Sequence, residues 1–310
     1  MRTHSFLMGM LCMATLGARH YAQAAPTFTD RAWRRLADAS EGRSHVAKAV
    51  VDGRIYVIGG LTRTAASAAV DRFDPATNAW SPVTSAPVPL DHAAAASLGG
   101  SIYVFGGDFG RPSARVFRYD VGSAVWTEQR PMPEPRAAGG AAAIEGSIFV
   151  IGGYATRPEE PLASAYRYEA STDAWERLPD LPTPRQHLAV APYAGRACAI
   201  GGIGRTGATS AVECFDPATR RWSTVAALPA PADDFDATAV GDVLVCAGGG
   251  DLHSARVSVF DGTRWSRAPD LVIARYGVAV AAIGRTVYVL QGAATAPPYP
   301  AGVVEALTLP

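Results

Sequence analysis

Ten residues after each of six tryptophans stand Arg43, Leu90, Arg136, Arg185, Ala232 and Arg275. Two positions further on come His45, His92, Ala138, His187, Asp234 and Gly277, with Asp91, Asp233 and Tyr276 between. Four guanidinium groups in six equivalent slots suit paired, charge-assisted hydrogen bonds to a carboxylate. Histidine and aspartate beside them suit proton transfer near neutral pH. The candidate acid–base residues are therefore His187, His92, Asp91 and Asp234. The candidate ligand contacts are Arg43, His45, Arg136, Arg185, Arg275, Tyr276, Asp233, and two residues that follow glycine pairs, Asp108 and Tyr154. A plainer reading stands beside this one, in which each arginine braces a loop and each histidine bonds a neighbouring carbonyl. No carboxylate–histidine spacing fixes a metal geometry, so neither a metal nor another cofactor is expected.

A repeat must position these residues. Trp33, Trp80, Trp126, Trp175, Trp222 and Trp265 are spaced 43 to 49 residues apart, and a glycine pair begins 26 residues after each, with Gln291 replacing the first glycine of the sixth. The pairs close apolar runs such as "RIYVIGG", "SIYVFGG" and "SIFVIGG". An aromatic–acid pair precedes each later tryptophan, as in "FDPATNAW", "YDVGSAVW" and "YEASTDAW". Each unit reads as four short strands joined by turn chemistry, with Asp52-Gly53 and Glu145-Gly146 suited to tight hairpins. The glycines let a strand end adopt angles closed to other residues and let a neighbour, here expected to be the tryptophan ring, come close. Six such units with no helical pattern between them predict an all-β, six-bladed β-propeller. Trp33 has no blade before it, and "AGVVEALTLP" stops after a third strand. An N-terminal strand around Trp33 should therefore complete the last blade and leave no open edge.

The aromatic–acid–turn–tryptophan phrase and the double glycine resemble the kelch repeat from about Trp33 to Leu309. No Trp-Asp dipeptide supports the WD-repeat alternative. Among secreted six-bladed kelch-like proteins, the resemblance extends distantly to the sialic acid mutarotases, although the long inserted loops of that family are missing. A copper-radical oxidase of the galactose oxidase type would be a related metalloenzyme, but its Tyr-His ligand pair does not occur after the leader.

Strand counting puts the arginine and histidine slots on one face with the post-glycine loops, which carry all the length variation. Variable loops on a rigid scaffold are where binding concentrates. The resulting expectation is a module that binds an acidic small molecule, such as a sugar acid, or an acidic peptide. An enzyme such as a sugar-acid mutarotase or epimerase is the alternative, and an interaction scaffold using exposed Tyr154, Phe109 and Tyr299 is the third.

The rest bounds these readings. Arg2, the apolar "FLMGMLCMATLGA" and "AQAA" lay out a secretory leader over residues 1–24, leaving 25–310 as one domain and a periplasmic or secreted, monomeric product with no membrane association. Basic and acidic residues balance at 28 each, and no basic run suggests nucleic acid. Cys198, Cys214 and Cys246 would remain. Cys198 and Cys214 flank one hairpin, but small buried thiols are favoured over a bridge.

Overall fold

The computed structural model describes residues 32–107, 110–156, 160–250, 254–294 and 300–310. Blade one contains strands Ala47–Val51, Arg54–Ile58, Val70–Asp74 and Ala79–Pro82, each hydrogen-bonded antiparallel to the next. Blades two to five repeat the meander, with inner strands Ala94–Leu98, Gly140–Ile144, Ala189–Tyr193 and Asp236–Val240. Small residues at these inner strands let six sheets crowd around one axis. Second strands are apolar on both faces because a blade is buried between two others: Ser101–Phe105 and Ser147–Ile151 are buried at every position.

The sixth blade runs Ala279–Ile283, Thr286–Leu290 and Val304–Thr308, and its fourth strand is Arg34–Arg35 from the other end of the chain. Arg34 pairs with Ala306 and Arg35 with Glu305. Trp33 is 4% exposed and packs with Val245, Val257, Val289 and Leu307 between blades five and six. The ring is thus closed by the N-terminal strand, as the sequence predicts.

The tryptophans fasten each blade to the one before. Every indole Nε1 donates to the carbonyl four residues beyond the preceding tryptophan: Trp80 to Ala37, Trp126 to Thr84, Trp175 to Arg130, Trp222 to Pro179, Trp265 to Ala226 and, across the closure, Trp33 to Pro269 at 2.8 Å. The glycine pairs serve a different contact from the one expected. A Cβ on Gly106 would lie 2.1 Å from the Arg136 carbonyl, and Gly107 (φ 98°) donates its amide to that same oxygen at 2.9 Å. The close neighbour is the next blade's arginine-slot backbone, not the indole.

Cys198 and Cys214 form a disulfide, which corrects the expectation of free thiols. They sit directly opposite each other on neighbouring strands with Cα atoms 4.0 Å apart, a separation that the closer type of antiparallel pair provides. Cys246 is a buried free thiol, and burial pushes its pKa far up.

Candidate functional site

The two sequence columns separate in space. Arg43, Arg136, Arg185 and Arg275 are 0 to 1% exposed and line no part of the channel cavity. Each runs into the wall of its own blade. Arg43 bonds the Gly59 and Ala69 carbonyls and Asp71. Arg136 bonds the carbonyls of Gly152 and Ser164 and the Ser164 hydroxyl, with the Tyr166 ring 5.4 Å from its guanidinium carbon. Arg185 bonds the Thr183 and Ala199 carbonyls and Glu213, while Arg275 meets the Val289 carbonyl at 3.4 Å and Glu305 at 3.5 Å. Burial lowers all four pKa values, to about 10 for Arg136 and Arg275, with Glu134 and Glu305 respectively opposing the shift. The four guanidinium groups brace their own blades from buried positions, so a carboxylate clamp at the mouth is not their arrangement.

The second column does converge. His45, His92, Ala138, His187, Asp234 and Gly277 all have φ between 49° and 58°. Their backbones form a closed ring of hydrogen bonds. His92 N donates to His45 O at 3.3 Å, Ala138 to His92 at 2.9 Å, His187 to Ala138 at 2.8 Å, Asp234 to His187 at 3.2 Å, Gly277 to Asp234 at 2.7 Å and His45 to Gly277 at 2.8 Å. A left-handed residue costs about 1–2 kcal/mol. Here five blades repeat it on a non-glycine residue and the sixth uses Gly277, and each repeat supplies a donor and an acceptor to the ring.

All six ring residues line one cup at the channel mouth, with a volume of about 110 Å³. His45 and His92 stack with ring centroids 4.1 Å apart, and His187 stands edge-on to His92 at 5.0 Å. Asp234 Oδ1 lies 3.5 Å from His45 Nε2 and 3.6 Å from His187 Nε2. Burial raises the Asp234 pKa, but the imidazoles of His45, His187 and His92 outweigh it and hold the carboxyl below its ordinary value. Asp91, 9% exposed, brings Oδ2 to 2.8 Å from His92 Nδ1, a contact whose alignment falls short of a hydrogen bond. Tyr276 stands 5.6 Å edge-on to His45, and Tyr154 stacks at 6.2 Å on His187.

Tyr154 is 1% exposed, which corrects its assignment as an exposed interaction aromatic. Asp233 is half-buried and gives its carbonyl to Gly250 N at 2.8 Å. Asp108, Phe109 and Tyr299, like the leader at residues 1–24, lie outside the described residues.

Two cup residues were not anticipated. Lys48 of blade one forms an ion pair with Asp236 of blade five, bridging inner strands that are not neighbours in the ring. Asp236 Oδ2 also accepts from Val280 N at 2.7 Å. Lys48 lines both the cup and the hollow beneath it. Its singularity was the available signal: it is the only lysine in the chain, three residues after His45.

Comparison with known proteins agrees with this architecture. The family model described as KLHDC2/KLHL20/DRC7 Kelch-repeats domain matches residues 24–153 and 91–292. A solved structure described as "Structure of YjhT" superposes with a TM-score of 0.75 at 17% identity, covering 88% of this chain and 97% of that one. At that identity the likeness concerns the fold.

Proposed function

The chain belongs to the kelch-repeat family, and on that premise we propose that it binds a small hydroxylated acid of the sugar-acid class at the channel mouth. The observation that carries the reading is the hydrogen-bonded ring, which presents His45, His92, His187 and Asp234 to one cup from four blades. Side chains held this way are preorganised, so a ligand does not have to order them on binding. A cup of about 110 Å³ takes one end of such a molecule. An acidic peptide offers the same carboxylate on a longer chain and is the competing ligand class.

A mutarotase is the second reading, favoured by the Asp91–His92 contact at 2.8 Å beside His187 and Asp234. Opening a sugar ring needs a base at the anomeric hydroxyl and an acid at the ring oxygen. His92 and His187 are the two groups assigned to those roles.

A thermal-shift screen against sugar acids and acidic peptides, followed by anomer-exchange NMR on any hit, tests both readings. Stabilisation by sugar acids that is lost in His187→Ala supports binding, and accelerated exchange adds catalysis. If neither ligand class stabilises the protein, the binding reading fails.

A further inference from the structure

The distances inside the cup suit an ion better than they suit hydrogen bonds. Charged N–H···O bonds run at about 2.7–2.9 Å, and a contact near 3.6 Å is not one. Asp234 Oδ1 nevertheless sits 3.5 and 3.6 Å from two imidazole Nε2 atoms. Two ligand atoms each about 2.1 Å from a tetrahedral ion lie roughly 3.4 Å apart. Ligand atoms of His92, His187 and Asp234 all fall within 4.8 Å of one another, so a modest inward swing of three side chains would bring them to one centre.

The surroundings favour a cation. Asp91 and Asp234 both face the histidines, and the four neighbouring arginines are committed to the blade walls. Lys48, the lysine that lines the cup, is paired with Asp236. Asp91 Oδ2 stands 2.8 Å from His92 Nδ1, so Nε2 is the ring nitrogen left open to an ion. A carboxylate behind a ligating histidine is the usual orienting partner in metal sites.

We propose that His92, His187 and Asp234 bind a divalent transition-metal ion of the zinc or cobalt type, with His45 flanking the same carboxylate oxygen. Imidazole and carboxylate together select such ions over calcium or magnesium. Three protein ligands leave a coordination position open to the cup, where a ligand carboxylate or hydroxyl would complete the shell. The inference rests on the ring being a ligand site: the ion supplies the fixed positive charge that the buried arginines do not.

The test uses untagged protein stripped with a chelator, titrated with Zn²⁺ by calorimetry and with Co²⁺ by visible absorption. One ion per chain is expected, with a cobalt spectrum typical of nitrogen and oxygen ligands. His187→Ala and Asp234→Ala should each weaken binding tenfold or more while keeping the wild-type circular dichroism. Wild-type protein that binds no Co²⁺ overturns the proposal, and so does unchanged affinity in a folded double variant. The sugar-acid screen, run separately on stripped and metal-loaded protein, keeps the two failures apart. Metal binding without any acid binding overturns the ligand reading alone, whereas acid binding to protein that takes no metal overturns the ion alone.

Discussion

Arg185 Nη1 lies 2.5 Å from Glu213 Oε2, and both side chains are almost wholly removed from solvent. Glu213 also accepts from the Thr183 hydroxyl at 2.9 Å. The pair spans one blade from the loop entering its first strand to its third strand. Breaking a buried pair by deleting one partner costs about 3–5 kcal/mol, because the other charge is left uncompensated. Arg185→Ala should therefore lower the urea midpoint strongly, while the folded fraction keeps the ligand affinity of wild type. A variant that unfolds like wild type but binds ligand poorly would return the arginine to the mouth.

Closure should be the most sensitive point of the ring. Trp33 is 4% exposed, whereas the five other tryptophans are only partly buried. Replacing a buried tryptophan by alanine costs about 3–5 kcal/mol, and Trp33→Ala also removes the bond to the Pro269 carbonyl. Deleting residues 26–37 goes further and exposes the edge of Val304–Thr308. Trp33→Ala should melt well below Trp222→Ala, and the truncated chain should aggregate. Equal melting temperatures for the two tryptophan variants would show that the N-terminal strand does not seal the ring.

Most of the fold was legible because the repeat fixes it. Trp33 standing without a blade, and a C-terminus stopping at a third strand, together dictate how the ring closes. The histidine ring was legible as a column of equivalent positions, since equivalent positions in a propeller share a radius and a depth. The arginine column obeys the same rule but was given the wrong side chain direction. The corrective signal lay two residues before the aromatic position of the repeat (Leu307 in the last), where Asp71, Glu213 and Glu305 stand in the repeats of Arg43, Arg185 and Arg275. Leu90, which lacks the charge, has Phe117 at that place. Arg136 has Tyr166 there and meets its ring, and Ala232 has Ser258, so the acid marks three of the four braces. His92, His187 and Asp234 were legible as slots of one column, but which slots meet is set by ring closure, because the three come from different blades.

The disulfide predicts a redox dependence. Cys198 and Cys214 enclose a loop with sequence separation 16, and a crosslink of that size contributes about 3 kcal/mol in the chain-entropy view. Unfolding in a strong reductant should begin at a distinctly lower temperature than unfolding without it, and Cys198→Ala/Cys214→Ala should melt low under both conditions. Bridges of this kind persist in oxidising compartments, which makes the proposed leader worth testing. N-terminal sequencing from the native host should find the chain starting near Ala25. Retention of Met1 would count against the leader.

The acid of the aromatic–acid phrase predicts how stability falls at low pH. Asp261 is held at about 2 by the Thr263 hydroxyl first, together with the Arg264 and Thr263 amides. Asp120 and Asp216 are lowered by the amides of Ser123 and Thr219, and Glu169 by the Ser171 hydroxyl. All four accept hydrogen bonds from the turn that follows, and each therefore releases its proton more readily folded than unfolded. Where the unfolded chain binds more protons, stability rises with pH. The contribution is thus complete above the ordinary carboxylate range near pH 4 and is lost as pH falls toward 2. Urea midpoints should decline through that window, and Asp261→Asn, which keeps an acceptor oxygen but cannot titrate, should flatten part of the decline. An unchanged slope in that variant would mean that other carboxylates govern the acid limb.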